Sequence, residues 1–344
     1  EFEWIVLDEA QNIKNVSAQR TSAIKKLKSK HRLALTGTPI ENNLTELWSI
    51  FDFLNPGYLG TLNKFKQNYL PAEGEITARL SLSRMVAPFM LRRIKKDVLL
   101  ELPDKQEQIS WCKLTTLQEK LYLQILDMVH KKLLPEGKEM PSYIHILAAL
   151  TKLRQVCNHP HLANGDILPE LEASSKLEQL LELVTEATNA GHKVLIFSQF
   201  VQMLSIIRKV LEAKSLPYCY LDGQTKDRVT PIKSFETNPE IKLFLISLKA
   251  GGTGLNLTAA DTVILYDPWW NPMVENQAID RTHRIGQTHK VQVFRLITKG
   301  TVEEKILQLQ QNKRELFETV IEGGQNVLKA MTKEDIKKLF SYSE

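Results

Sequence analysis

Two acidic residues, Asp8 and Glu9, close an apolar run near the start of the chain, WIVLDEAQNIKN, residues 4 to 15. A buried strand ending in Asp-Glu sets two carboxylates at the carboxyl edge of a parallel sheet, where open α/β folds take their ligands. There the first acid can hold magnesium through the ion's waters, and the second can orient and deprotonate a water attacking a terminal phosphate. Acids at the start of a helix would look the same, so this motif alone leaves both roles open. A second turn, LTGTP at 35 to 39, follows the next apolar run and places the hydroxyls of Thr36 and Thr38 either side of Gly37. The glycine would let the backbone turn sharply beside a phosphate, and a purely structural turn would read alike.

Guanidinium groups enter far along the chain. In QAIDRTHRIGQ (277 to 287), Gln277, Arg281 and Arg284 are spaced by four and three, which on a helix puts them on roughly one face. Arginines so placed can meet the charge developing on a transferring phosphoryl group, an effect worth about 10³ to 10⁵ in rate. A salt-bridged surface helix would carry the same spacing. The glycine-rich SLKAGGTGLNL (247 to 257) follows a strand, and its backbone amides could approach a phosphate closely, with the Thr253 hydroxyl beside them.

These groups need elements to hold them. WIVLDEA, an amphipathic stretch from Ala18 to Leu27 and RLALTGTP read as strand, helix and strand; KVLIFSQF, VQMLSIIRKVLEA, PYCYLDGQT, IKLFLIS, DTVILYD and VQVFRLI repeat the alternation at greater length. Apolar β-branched strands separated by helices predict parallel sheets in two α/β lobes. From about Leu44 to Glu182 the three- and four-residue apolar spacing predicts helices, interrupted by KQEQISWCKL, expected to be a strand returning to the first sheet. After ITKGT the tail is helical, opened by a capping box of Thr301 and Glu304.

A chain of 344 residues suits two domains. No stretch reaches the roughly 18 apolar residues of a spanning helix, and the first residues lack a secretory pattern. Cys112, Cys157 and Cys219 are scattered and odd in number, which argues against a disulfide framework and for a reducing, intracellular setting. The net charge of +5 permits nucleic-acid binding without demanding it, and the clusters KKLKSKHR and RRIKKD also fit solvated helix faces. Cys157, His159 and His161 lack the second pair that structural zinc requires.

LDEAQNIKN, LALTGTPIENNLTELWSIFDFLNPGYLG, LRRIKKDV, LRQVCNHP, VLIFSQF, SLKAGGTGLNLTAADTVILYDPWWNP and QAIDRTHRIGQ together resemble, in order and nearly end to end, the motif set of Swi/Snf-type ATPases. These are DNA-translocating motors of helicase superfamily two. The resemblance implies two RecA-like lobes with helical protrusions, the first lobe incomplete at its N-terminus, and ATP with Mg2+ bound between them. It implies a first lobe over 1-112 with a protrusion at about 44-96, a second protrusion over 113-170, a second lobe over 171-300 and brace helices over 301-344. Asp8 and Glu9 match the magnesium and catalytic carboxylates, Gln11 completes the box, and Thr36, Gly37 and Thr38 match the motif linking hydrolysis to DNA. Gly252, Gly254, Gln277, Arg281 and Arg284 match the nucleotide-facing motifs of the second lobe. DNA contact falls on Ser198, Gln199, Gly223, Thr225, Lys249, Thr253, Trp269, Trp270 and Asn271.

The two indoles could stack on bases, but prolines on both sides stiffen the turn, and packing against the lobe is the expectation. No GxxxxGK[ST] phosphate loop occurs, so the chain is expected to be the C-terminal portion of a longer motor, almost inactive by itself. The expected partners are double-stranded DNA and a DNA-bound protein that is displaced, with no membrane, in a monomer working in the cytoplasm, nucleoid or nucleus. A strand-separating helicase and a non-catalytic DNA-binding scaffold remain alternatives.

Overall fold

Among the described residues of the computed structural model every strand pairing is parallel, and the strands fall into two sheets that share no strand. The structure describes residues 1–37, 44–70, 76–91, 93, 99, 102–132, 142–167, 170–251, 255–270, 272–317 and 333–342. Two compact units divide between Val98 and Leu99, the second also taking in the C-terminal helix Lys333–Leu339.

In the first unit, β1 (Phe2–Leu7) pairs with β2 (Ser29–Ala34) from Phe2↔Ser29 to Leu7↔Ala34. Side chains alternate across a strand, so Ile5, Leu7 and Ala34 turn inward onto Ile13, Ile50 and Phe53. The opposite face carries Phe2, Trp4, Val6, Leu33 and Leu35, of which Trp4 is 57% exposed. The helices Leu44–Leu54, Leu62–Tyr69 and Ile76–Val86 form the protrusion around Leu47, Trp48, Phe51, Phe65 and Leu82. Thr61 caps the second of these by accepting the Lys64 N–H. An ion pair of 2.8 Å between Lys25 and Asp52 ties the helix Gln19–Lys25 to the protrusion.

The second unit is built on a six-stranded sheet in the order β3-β8-β7-β4-β6-β5. Its strands are β3 (Lys105–Cys112), β4 (Val194–Ser198), β5 (Tyr218–Leu221), β6 (Leu243–Ser247), β7 (Thr262–Leu265) and β8 (Val291–Thr298). β4, β6 and β7 are buried at every position, as continuous apolar runs in a doubly covered parallel sheet should be. One face packs against the helices Ser175–Asn189 and Val201–Ala213, the other against Val229–Thr237 and Pro272–Ile279. This is the α/β arrangement of helices on both faces of a parallel sheet that the sequence predicts.

One expectation is corrected. The strand Lys105–Cys112 does not return to the first sheet; it is the edge strand of the second, paired with β8 from Lys105↔Val291 to Cys112↔Thr298. Cys112 joins the core of that unit, and Glu107 meets Arg295 on the neighbouring strand at 3.1 Å.

The helices Thr116–Lys132 and Tyr143–Asn158 pack on each other, and Gln118 Nε2 donates to the carbonyls of Val156 and Cys157 at 2.7 and 3.2 Å. The helix Val302–Phe317 is anchored by the buried pair Lys176–Glu303 at 2.6 Å. Its expected capping box takes a shifted form: the Glu304 carboxylate accepts the Gly300 N–H at 2.7 Å, while Thr301 Oγ1 accepts from Glu303 N–H at 3.2 Å. The middle of the expected brace lies outside the described residues. Its end packs within the second unit, with Ile336, Leu339 and Phe340 buried and the Tyr342 hydroxyl on Glu119 at 2.9 Å.

Candidate nucleotide and DNA site

The carboxyl ends of β1 and β2 are laced together before any functional side chain is considered. Leu35 N–H donates to the Leu7 carbonyl at 2.7 Å, and Ala10 N–H donates back to the Leu35 carbonyl at 2.9 Å. This places Asp8 and Glu9 beside Thr36 and Gly37 at one sheet edge. Glu9 sits in the left-handed region at φ 50°, ψ 52°, sparsely populated for a residue with a side chain and the kind of strain that collects at functional sites.

From there a relay of side chains runs across the edge. The Thr36 hydroxyl donates to Gln11 Oε1 at 2.6 Å, and Gln11 Nε2 donates to Glu9 Oε2 at 2.7 Å. Gln11 thus takes its donor and acceptor roles simultaneously, which fixes the orientation of its amide and links the TGT turn to the second carboxylate. Asp8 is exposed and uses Oδ1 to accept the Glu9 N–H at 2.9 Å. Gly37 itself lies outside the left-handed region, and a Cβ there would meet nothing within 4 Å; the turn from Thr38 onward lies outside the described residues.

In the second unit the loops at the carboxyl edge are held by buried charge. Ser198 ends β4 fully buried and donates its hydroxyl to Asp267, which also accepts the Gln199 N–H at 3.2 Å. Burial pushes the Asp267 carboxyl above its ordinary range against the opposing pull of the Arg154 guanidinium. The Ser198 hydroxyl is therefore spent inside the protein and is not presented to a phosphate. Trp269 packs against the core, as expected for at least one indole; its backbone N–H donates to Glu275 Oε1 at 2.6 Å and its carbonyl accepts from Gln310. Trp270 is half-buried.

Gly223 is exposed in the loop after β5. In the same loop, Asp222 Oδ1 gathers the N–H groups of Gln224 and Thr225 at 2.9 and 3.0 Å and the Thr225 hydroxyl at 3.0 Å, so Thr225 shapes the turn. Lys249 is exposed on the short helix Leu248–Gly251 after β6. Gly251 ends that helix where a Cβ would lie 2.8 Å from Phe197 Cε1, a close approach only glycine allows. Thr38, Gly252, Thr253, Gly254 and Asn271 lie outside the described residues.

The arginine segment departs from its expected form. The helix Pro272–Ile279 carries Gln277 but ends before Arg281 and Arg284, which sit in the turns that follow. Hydrogen bonds close these turns: Arg281 N–H to Ala278 O at 3.2 Å and His283 N–H to Ile279 O at 3.0 Å, with Gly286 at φ 99°. The three residues do not share a helix face. Arg281 is buried and its carbonyl accepts the Leu257 N–H at 3.0 Å, which brings the end of the glycine-rich segment beside it, while Arg284 is exposed.

An SNF2-related domain model matches residues 1–162 and a helicase conserved C-terminal domain model matches residues 175–286. The Sulfolobus solfataricus SWI2/SNF2 ATPase core, solved in complex with double-stranded DNA, superposes with a TM-score of 0.61 at 39% identity over 99% of this chain and 73% of that one. This chain belongs to the SWI2/SNF2 ATPase family. Among curated relatives, the Bacillus subtilis putative ATP-dependent helicase/translocase YwqA is 43% identical over 98% of this chain, and the Saccharomyces cerevisiae TATA-binding protein-associated factor MOT1 is 36% identical over 99%. The chain spans only 38% and 21% of their lengths.

Within the SWI2/SNF2 pattern, sequence reasoning missed Asp267, Glu275 and Gly251. Asp267 and Gly251 lie inside quoted motifs, YDPWW and KAGG, where a polar or glycine residue at a strand end was a usable signal. Glu275 lay between motifs with no signal; it is fully buried and receives both the Trp269 N–H and the Arg295 guanidinium.

Proposed function

We propose that the whole protein is an ATP-dependent translocase on double-stranded DNA, moving along the phosphate backbone and displacing bound protein, as a monomer inside the cell. The observation that carries this reading is the relay Thr36–Gln11–Glu9, which ties the turn at one strand end to the carboxylate at the next. The likeness to a SWI2/SNF2 core solved with double-stranded DNA supports the choice of duplex as the track.

In this reading Glu9 orients and deprotonates the water that attacks the terminal phosphate of ATP. Gln11 holds one carboxylate oxygen so that the other faces the water, and Thr36 reports the state of that edge to the DNA-facing turn. Arg281 and Arg284 offset the charge that builds on the transferring group. Magnesium fits the donor set: Asp8 offers a solvent-facing carboxylate oxygen, the kind of donor that ion takes. That ion keeps its waters and leans on one or two carboxylates plus the substrate's phosphates. Bound at Asp8, it would neutralise phosphate charge.

On the DNA side, Gln199, Gly223, Lys249 and Trp270 reach the surface or its margin at the carboxyl edge of the second sheet, with Ser198, Thr225 and Trp269 shaping the loops beneath them. Contacts of that kind read the backbone and carry little sequence information. The test is ATP turnover by the whole protein with duplexes of unrelated sequence over a salt series. Stimulation by every duplex that weakens steeply with salt is expected; stimulation confined to one sequence, or none, contradicts the reading.

A further inference from the structure

The motif LRQVCNHP has no role in the chemistry above, yet one of its side chains lies beneath both DNA-facing loops. Arg154, on the helix Tyr143–Asn158, is 3% exposed and belongs to none of the loops it touches. Its guanidinium donates to the Pro268 carbonyl, lies 3.8 Å from Asp267 Oδ1 and covers the Phe200 ring at 5.5 Å. Asp267 in turn takes the Ser198 hydroxyl and the Gln199 N–H. One buried cation therefore fastens the loop after β4 (Ser198–Phe200) and the loop after β7 (Asp267–Trp269) to the same helix.

We propose that Arg154 is a positioning residue for DNA contact, setting the spacing of the Ser198–Gln199 and Trp269–Trp270 loops through Asp267 and the Pro268 carbonyl. This rests on the reading that those loops meet the duplex. A buried arginine costs heavily to desolvate, and burial lowers its pKa. An apolar residue would fill the space at less cost; what it could not do is bridge a carbonyl on one loop and a carboxylate shared with the other in a fixed fork.

The test uses the whole protein and three variants, Arg154→Met, Asp267→Asn and the two combined. Arg154→Met leaves a buried carboxylate alone and should lose stability, whereas the combined variant removes both charges and should recover most of the melting temperature. A purely structural arginine predicts that DNA dependence recovers with it. The positioning role predicts that the combined variant still needs about tenfold more duplex for half-maximal ATP hydrolysis, a loss of about 1.4 kcal/mol, while the KM for ATP stays within about twofold. Hydrogen exchange at the Gln199 and Trp269 amides should be faster in the same variant even without DNA or ATP. Wild-type exchange at those amides together with wild-type duplex dependence overturns the proposal. Faster exchange with unchanged duplex dependence keeps Arg154 as the fastener but overturns its role in DNA contact and the assignment of these loops to DNA. No duplex stimulation in the wild type overturns the translocase reading, and the exchange data alone then decide whether Arg154 sets the loops.

Discussion

The two units hold functional residues at the carboxyl ends of parallel strands by different means. In the first, β1 and β2 bury one face and expose the other, and the site is joined by the neutral relay Thr36–Gln11 ending on Glu9 near the surface. In the second, the central strands are buried on both faces, and the loops hang from buried charges: Arg154 with Asp267, Arg295 with Glu275, and Lys176 with Glu303. A near-surface relay gives up little when one bond breaks, because water can replace the partner. A buried pair that loses one member strands a charge in a low dielectric. The first unit should therefore tolerate changes at its site and report them as altered turnover, and the second should report them as lost stability.

The sharpest way to break this contrast is Lys176→Met, which leaves Glu303 buried without its cation. Calorimetric unfolding of the second unit should show a loss of about 3–5 kcal/mol, and adding Glu303→Leu should return much of it. Next comes a pair of glycines. Gly251→Ala puts a methyl group 2.8 Å from Phe197 and should cost about 1–3 kcal/mol in the same measurement. Gly37→Ala meets open space and should move stability by no more than about 0.5 kcal/mol.

Gln11→Leu cuts the relay in the middle. Chemical denaturation of the first unit should shift by less than about 1.5 kcal/mol, while kcat for ATP falls roughly tenfold, about 1.4 kcal/mol of transition-state stabilisation. The smallest effect is on pH dependence. Burial alone would raise the Glu107 carboxyl, but Lys105 and Arg295 beside it hold it down from 4.5 to about 2. A lowered folded-state pKa means this carboxylate stabilises the fold above about pH 4.5 and stops doing so as pH falls toward 2. Glu107→Gln should flatten the stability curve of the second unit across that window and lower its stability near pH 7, where the wild-type carboxylate is fully ionised, while leaving it unchanged near pH 2.

Much of this could be read from residue order. Continuous apolar runs such as VLIFS and LFLIS announce strands covered on both faces, because only a doubly packed parallel sheet can bury them. The roles proposed for Asp8, Glu9, Arg281 and Arg284 rest on chemistry and family pattern together. Partner choice was not: KQEQISWC alternates like any half-exposed strand, and nothing in it states whether β2 or β8 lies alongside. A spacing of four and three fits a helix and also a helix that stops after Ile279, where the turn closed through Arg281 and His283 takes over. Polarity at a strand end does not reveal burial, which is why Ser198 reads as a ligand contact and proves to be an internal donor to Asp267.

In the proposed reading, Asp8 and Glu9 serve ATP hydrolysis as acids, and Arg281 and Arg284 serve it as positive charge. That reading is tested most directly by single-turnover ATP hydrolysis on duplex DNA in the whole protein with Glu9→Gln and, separately, Arg281→Ala. Each variant should bind ATP and lose at least about 10²-fold in the chemical step, the lower range for a lost general base or finger arginine. Wild-type hydrolysis by either variant would contradict the account.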